Sequence, residues 1–486
     1  MDSRNDEKER IRQLTEENRQ LADQVQQQAA RIQELEAELQ RLQKLLAGKA
    51  DSKAAKKPVF KENYSLNRNK RRKKRKRRGR ASTGRRPKEQ KRAIIASVCD
   101  VYPANADPNE CIFHREQFAW RLIQGQAVYV RYRIHDLPGS KHLPLPPGLR
   151  TSRGEYGIEI ILILAFLHYW IGLSLDHACE VMRFFTKLEL SKSQADSLLK
   201  QLARDWDEQY DTIAELIALQ MIVYIDETGW KVGTKSCYTW VFSTALHVLF
   251  RCGVSRARTE AAAVLGDAFA GIGVTDDYAA YKGLFTQHQL CWAHLIRKAI
   301  KLALQYPDHP EYAAFLDELC EIYHQAIRHQ NDGRLSVGRA EKVEQLLDRL
   351  RQLCTRHGEP IVTDETPPHL ADFIRLQNEL MDNADCLFVF VTHPTVEATN
   401  NRSERNVRRE AEIRKGARTS KTADGAQRRG VILTVLASLA TRFQRFTLDN
   451  LLSEVTRWWE TGQSIFQREL SGLLQPHAPP VRPAET

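Results

Sequence analysis

The stretch M-I-V-Y-I-D-E-T-G-W-K-V, residues 221–232, decides how the rest of the chain is read. Its first half is apolar and β-branched, which favours a strand, and the apolar run stops at a carboxylate, Asp226. Two more strand candidates follow, Y-T-W-V-F-S-T (238–244) and H-V-L-F-R-C-G-V (247–254), with Ala245 and Leu246 between them. The pattern then predicts a helix over 258–270 and a fourth strand over A-G-I-G-V-T-D-D-Y (270–278), again ending in acids. Beyond it the chain reads as helical to about 385, with a last helix near 396–415. Three strands, a helix, a strand and then helices describe an α/β domain with a mixed sheet and a helical insertion.

If the first and fourth strands are neighbours, Asp226 and Asp276 project from one edge of that sheet. A third acid, Glu404, lies in A-T-N-N-R-S-E-R-N-V-R-R-E-A-E-I-R-K-G (398–416), a helix ending at Gly416, with Asn400 and Arg408 one turn to either side. Two-metal phosphoryl transfer needs about three converging carboxylates, and Mg²⁺ is a hard ion that takes oxygen ligands and keeps waters. Spacing alone does not single these three out, because the chain holds 61 Asp and Glu residues. Taken by itself, Glu404 is an acid neutralising a basic helix.

The words around the three positions say more. D-E-T-G-W (226–230), T-D-D-Y-A-A-Y (275–281), C-W-A-H-L-I-R-K (291–298) and N-N-R-S-E-R-N-V-R (400–408) occur in that order. Together they resemble the transposases of the insertion sequence 66 family, strongly over 215–425. The resemblance implies a DDE-type enzyme with an RNase H-like catalytic core. It implies Asp226, Asp276 and Glu404 as catalytic residues and ligands of Mg²⁺, two ions, with Mn²⁺ as a substitute. The activity implied is cleavage at transposon ends and strand transfer into target DNA, with accessory proteins of the same element as further partners.

The sequence departs from the family in places. Asp277 stands where the family often has glycine, leaving two adjacent aspartates of which the motif favours 276. A cysteine-pair zinc segment is missing; Cys99, Cys111 and His114 are the nearest substitute, at poor spacing. Cys291 and His294 read first as packing residues at a helix start, and as supporting residues second. Glu227 reads as a surface acid, and Trp230 as a core aromatic or a DNA contact. Asn400 and Asn401 are possible supporting amides. Arg402, Arg405, Arg408 and Arg409 divide between DNA phosphates and ordinary ion pairs, while Glu410 and Glu412 look ordinary.

Toward the N-terminus, Ile11, Asn18, Val25, Ile32, Leu39 and Leu46 alternate at heptad spacing with Leu14, Leu21, Gln28, Leu35 and Leu42. That pattern predicts a coiled coil over 1–48, and Asn18 at a core position favours a parallel homodimer. Residues 49–93 read as a linker and a basic nucleic-acid-binding segment. Residues 68–92 hold sixteen Lys/Arg and one Glu, so the remainder of this +12 chain sums to about −3. Lys70, Arg71, Arg72, Lys73, Lys74, Arg75, Lys76, Arg77 and Arg78 form the dense run, suited to DNA phosphates without reading sequence.

The remaining boundaries are a helical DNA-binding domain at 94–215, catalytic core at 216–299 and 393–425, a helical insertion at 300–392, and a helical tail at 426–486. Within the first of these, 175–185 and 191–202 could form a helix-turn-helix presenting Lys192, Ser193 and Gln194. Nine scattered cysteines without C-x-x-C, and no signal-peptide pattern, suggest a reduced, cytoplasmic protein, and the family resemblance implies a bacterial, nucleoid-associated one. The apolar run 157–173 contains Glu159 and His168 and reads as a buried helix, so no membrane partner is expected. The rival reading is a non-catalytic or degenerate DNA-binding protein acting through its coiled coil and basic arm. A nuclease of the same core cutting other nucleic acid is a third.

Overall fold

A computed structural model describes residues 88–140, 143–333, 336–356, 361–416 and 418–474. The expected coiled coil and basic run lie outside the described residues, as does the proline-containing end. After a short helix, α1 (Lys88–Arg92), come three strands: β1 (Ser97–Val101), β2 (Ile112–Ile123) and β3 (Gln126–Asp136). They form a sheet of order β1-β3-β2, with β2 and β3 antiparallel and β1 parallel to β3.

This corrects the expectation of helices from residue 94. The hairpin turns on Gln124 and Gly125, both at positive φ (49° and 76°), as a two-residue β-turn requires. The sheet also separates the sequence's zinc candidates. Cys99 sits on β1 opposite Tyr132, while Cys111 and His114 belong to the far side of β3, on or next to β2. Two strand spacings, about 10 Å, lie between them before any offset along the strands.

Helices α2 (Ile158–Ala165), α3 (Leu175–Thr186) and α4 (Lys192–Ala218) follow. The apolar run is indeed buried: Ile160, Leu162, Leu164 and Ala165 are fully covered. Its Glu159 pairs with Arg121 of β2 at 2.6 Å, which ties the small sheet to the helices. Among the described residues no helix is long and apolar enough to cross a membrane. Ser191 and Gln194 close a reciprocal cap on α4, Lys192 pairs with Asp176, and Ser193 meets Ser191. All three residues are exposed, and their side chains also brace the hairpin, with Gln194 reaching the Tyr156 hydroxyl at 3.1 Å.

The central sheet contains β4 (Ile222–Val232), β5 (Lys235–Ser243), β6 (Val248–Val254), β7 (Phe269–Thr275) and β8 (Phe285–Leu290), with α5 (Arg258–Leu265) before β7. The order is β6-β5-β4-β7-β8, antiparallel from β6 to β4 and parallel from β4 to β8. β8 was expected to be helical. It is a six-residue edge strand whose Thr286 and Gln287 face water, so it carries too little alternation to be seen.

Alternate residues of β4 feed two cores, as the strand period of two dictates. Val223 and Ile225 pack with α4 and α12 (Ala423–Arg442), while Tyr224 packs on the other face with α6 (Trp292–Gln305), α7 (Pro310–Asn331), α8 (Ser336–Thr355) and α9 (Pro368–Asp382). The chain returns through a helical turn, α10 (Val389–Thr392), to α11 (Asn401–Lys415).

The segment after 426, expected to be a tail, is part of the core. α12 lies along the edge strand β6 and caps its free backbone groups. Thr434 Oγ1 accepts from Phe250 N at 2.9 Å, and Ser438 Oγ accepts from Val248 N at 3.0 Å. Gly430, one turn earlier, allows this approach: a Cβ there would stand 2.6 Å from the Phe250 carbonyl oxygen. A helix carrying small residues at every fourth position thereby covers an edge that would otherwise pair with other chains. Helices α13 (Leu448–Thr461) and α14 (Ile465–Leu474) complete this side.

Candidate functional site

β4 and β7 pair in parallel from Ile222/Ile272 to Tyr224/Val274. That pairing stops two residues short of Asp226 and Asp276; carried on unchanged, it would set their backbones about 5 Å apart. Asp226 does not end its strand, as expected, because β4 runs on to Val232 paired with β5 alone. What ends beside Asp226 is β7. The crevice opens there, beyond the carboxyl ends of parallel strands.

Asp226 accepts the Glu227 N–H at 2.8 Å, and Asp276 accepts the Tyr278 N–H at 3.2 Å. Burial first, then the negative charges of Glu227, Asp276 and Glu404, push the Asp226 carboxyl up to about 8, against the opposing hydrogen bond from Glu227 N–H. Asp276 and Glu404 therefore lie near enough to act on it. Asp277 is exposed, whereas Asp276 is half-buried.

Glu404 sits in the first turn of α11, where a carboxylate favours the helix N-terminus. The N-N-R-S-E-R word fixes that turn to the sheet. Buried Asn400 donates from Nδ2 to the Ile225 carbonyl at 2.6 Å, and Ser403 Oγ donates to Val241 O at 3.0 Å. Asn400 N–H also donates to Cys291 Sγ at 3.1 Å, while Cys291 N–H bonds Thr275 O at 2.9 Å. Cys291 thus joins the end of β7 to the start of α11, and burial pushes its thiol up.

Glu404 Oε1 lies 3.8 Å from Cys291 Sγ and 3.5 Å from His294 Nδ1. Arg297 reaches both Glu404 oxygens, at 3.1 and 3.3 Å. A cavity of about 230 Å³ opens alongside, lined by Asp276, Tyr278, Cys291, His294, Lys298 and Arg256.

Several residues are placed differently from expectation. The Glu227 side chain is 2% exposed rather than on the surface, held by Arg256 at 2.6 Å and by the Tyr281 hydroxyl at 2.5 Å. Alternation puts Glu227 on the face opposite Asp226, but says nothing of what covers that face. Trp230 is buried, donates to Ser420 Oγ at 3.1 Å and carries Arg429 over its ring at 4.8 Å, so it is a core aromatic. Glu410 is wholly buried and forms a two-pronged pair with Arg429, at 2.6 and 2.7 Å. It is not an ordinary surface acid.

The basic residues of α11 divide. Arg402 pairs with Glu397 and lies over Tyr224; Arg409 stacks 3.6 Å from the Trp170 ring. Arg405 and Arg408 are exposed and make no ion pair among the described residues. Asn401 is exposed at the helix start. Lys70–Arg78 lie outside the described residues. Arg297, Arg256 and Tyr281 were not singled out beforehand, although all but Arg256 stand inside quoted motifs.

The sequence model of the transposase IS66 family matches residues 153–428, more than half of the chain. This chain belongs to that family. The match runs from just before α2 to the second turn of α12, so all three acids of this IS66-family transposase lie inside it and the small sheet lies outside. No curated protein matches the chain.

Proposed function

We propose that this IS66-family transposase is a DDE-type enzyme that cleaves DNA at transposon ends and joins the released 3′-OH to a target strand. The observation that carries the reading is the charge gathered at Asp226. A carboxyl pushed up to about 8 by burial and three neighbouring acids is a site in need of a cation. Neither Asp226 nor Asp276 makes an ion pair among the described residues; each takes one backbone N–H. Strand order β6-β5-β4-β7-β8, with the first three antiparallel and the rest parallel, supports an RNase H-like core.

Asp226, Asp276 and Glu404 carry the oxygen donors that a hard divalent ion takes, although Glu404 stands within 4.8 Å of Cys291 and His294 rather than in such a group with the two aspartates. Bound there, Mg²⁺ or Mn²⁺ would supply the Lewis acid that lowers the pKa of water and offsets charge on a transferring phosphoryl group. The chain's own residues do the rest. Asn400 and Ser403 hold the α11 turn against the sheet, and Arg297 orients Glu404. Arg405 and Arg408 offer guanidinium forks to phosphates, and the run 70–80 adds sequence-independent affinity. A coiled-coil dimer over 1–48 would bring two ends together.

The test is cleavage and strand transfer on labelled element-end duplexes. Asp226→Asn should abolish Mg²⁺-dependent cleavage while DNA binding persists. Cleavage unchanged in that variant would overturn the assignment. A wild-type chain that binds but never cuts would favour the non-catalytic reading, and cutting without joining would favour a nuclease.

A further inference from the structure

Cys291, His294 and Glu404 bring three different donor atoms together: a thiol sulfur, an imidazole nitrogen and a carboxylate oxygen, all within 4.8 Å of one another. The arrangement comes from the fold. Cys291 is the N-cap of α6, so Cys291 and His294 stand one turn apart on the same side, and Glu404 reaches in from α11. The spacings can be compared with those around an ion. For a tetrahedral zinc with Zn–S about 2.3 Å and Zn–N and Zn–O about 2.0–2.2 Å, S···O and N···O come to about 3.6 and 3.4 Å. Two of the three separations here are 3.8 and 3.5 Å, and the third, S···N, is within 4.8 Å.

Two further observations point to a ligand. His294 Nδ1 is buried from water yet has no hydrogen-bond partner, a lone pair or N–H left unused beside a carboxylate. Glu404 Oε1 faces Cys291 and His294, and Arg297 bonds both carboxylate oxygens, at 3.3 Å for Oε1 and 3.1 Å for Oε2. Oε2 keeps this guanidinium partner if Oε1 turns to an ion, the outer-sphere support that ligating carboxylates ordinarily have.

We propose that Cys291, His294 and Glu404 form a binding site for a thiophilic divalent ion of the zinc class, with its fourth position open to the cavity. Sulfur and imidazole donors suit zinc or cobalt and exclude Mg²⁺, so this site differs in metal from the all-carboxylate one. The two share Glu404. Zinc held here withdraws that carboxylate from Asp226 and Asp276, a consequence that rests on the proposed function; the binding itself does not.

Cobalt(II) titration of the purified full chain tests it, because a thiolate–cobalt bond gives a charge-transfer band in the near ultraviolet that carboxylate ligands do not. The wild type should show this band, and Zn²⁺ should displace it. Cys291→Ser should lose it, and Cys111→Ser should keep it. His294→Gln alters a side chain 35% exposed and should leave the fold intact. It should weaken binding by at least the about 10- to 100-fold that loss of an outer-sphere partner typically costs. No band in the wild type, a band that survives Cys291→Ser, or unchanged affinity in His294→Gln overturns the proposal. Failure of Asp226→Asn to affect cleavage would leave these spectra untouched, so the two claims fail separately.

Discussion

Replacing Asp226 by Asn should make the metal-free protein more stable, and the size of the effect follows from the crowding of charge. The folded Asp226 carboxyl titrates at about 8, against 3.8 for the free group. Between those values the folded chain binds more protons than the unfolded one. The group's contribution to stability is therefore fully present below 3.8 and is lost as pH rises through about 8. At pH 7 the accumulated loss is about 4 kcal/mol at most, from 1.36 kcal/mol per pH unit. Asp226 is partly exposed, and solvent screening brings this to about 2 kcal/mol. Asparagine keeps the shape and removes the charge. In chelator, Asp226→Asn should exceed the wild type by about 2 kcal/mol near pH 7 and match it near pH 4. Urea unfolding followed across that range reads the difference. Mg²⁺ should narrow the gap, because a ligand that binds only the folded wild type stabilises it. An offset that is absent near pH 7, or that does not change with pH, would refute the reasoning.

Three other outcomes follow from the same structure. Glu410→Gln leaves Arg429 buried without its carboxylate and should cost about 3–5 kcal/mol, whereas exchanging both partners for apolar residues should cost far less; unfolding midpoints of the single and double variants decide. Gly430→Ala forces α12 away from β6 and should cost about 1–3 kcal/mol, and Ser438→Ala should add loss by uncapping Val248 N; thermal melts check both, and more aggregation should accompany the exposed edge. Deleting residues 70–80 should weaken DNA binding and flatten its dependence on salt, measured as the slope of log affinity against log salt.

The central sheet was largely legible because four of its strands carry apolar, β-branched or aromatic runs that pack against a core. β4, β5, β6 and β7 all begin or end within a few residues of where the pattern puts them. β8 was not, since four of its six residues are polar and its partner lies on one side only. The small sheet was missed for another reason. Two β-rich runs flanking Gln124–Gly125 carried a hairpin signal, but the chain around them was read at helical period.

At the proposed site, the four motifs singled out the three acids, and the parallel pairing of β4 with β7, which ends at Tyr224 and Val274 two residues before Asp226 and Asp276, is what spacing alone could not give. The partners of Glu404 and Glu227 were invisible, because Arg297, Arg256 and Tyr281 meet them across 107, 29 and 54 residues. Glu410 illustrates the same limit. A helical acid among arginines looks solvated until the helix that buries it, α12, is in place.

The most direct measurement is a crystal structure of the chain soaked in Mn²⁺, with the ions located by anomalous scattering. The account predicts manganese between Asp226, Asp276 and Glu404, and none there in Asp226→Asn. Manganese bound elsewhere, with these three carboxylates free, would contradict it.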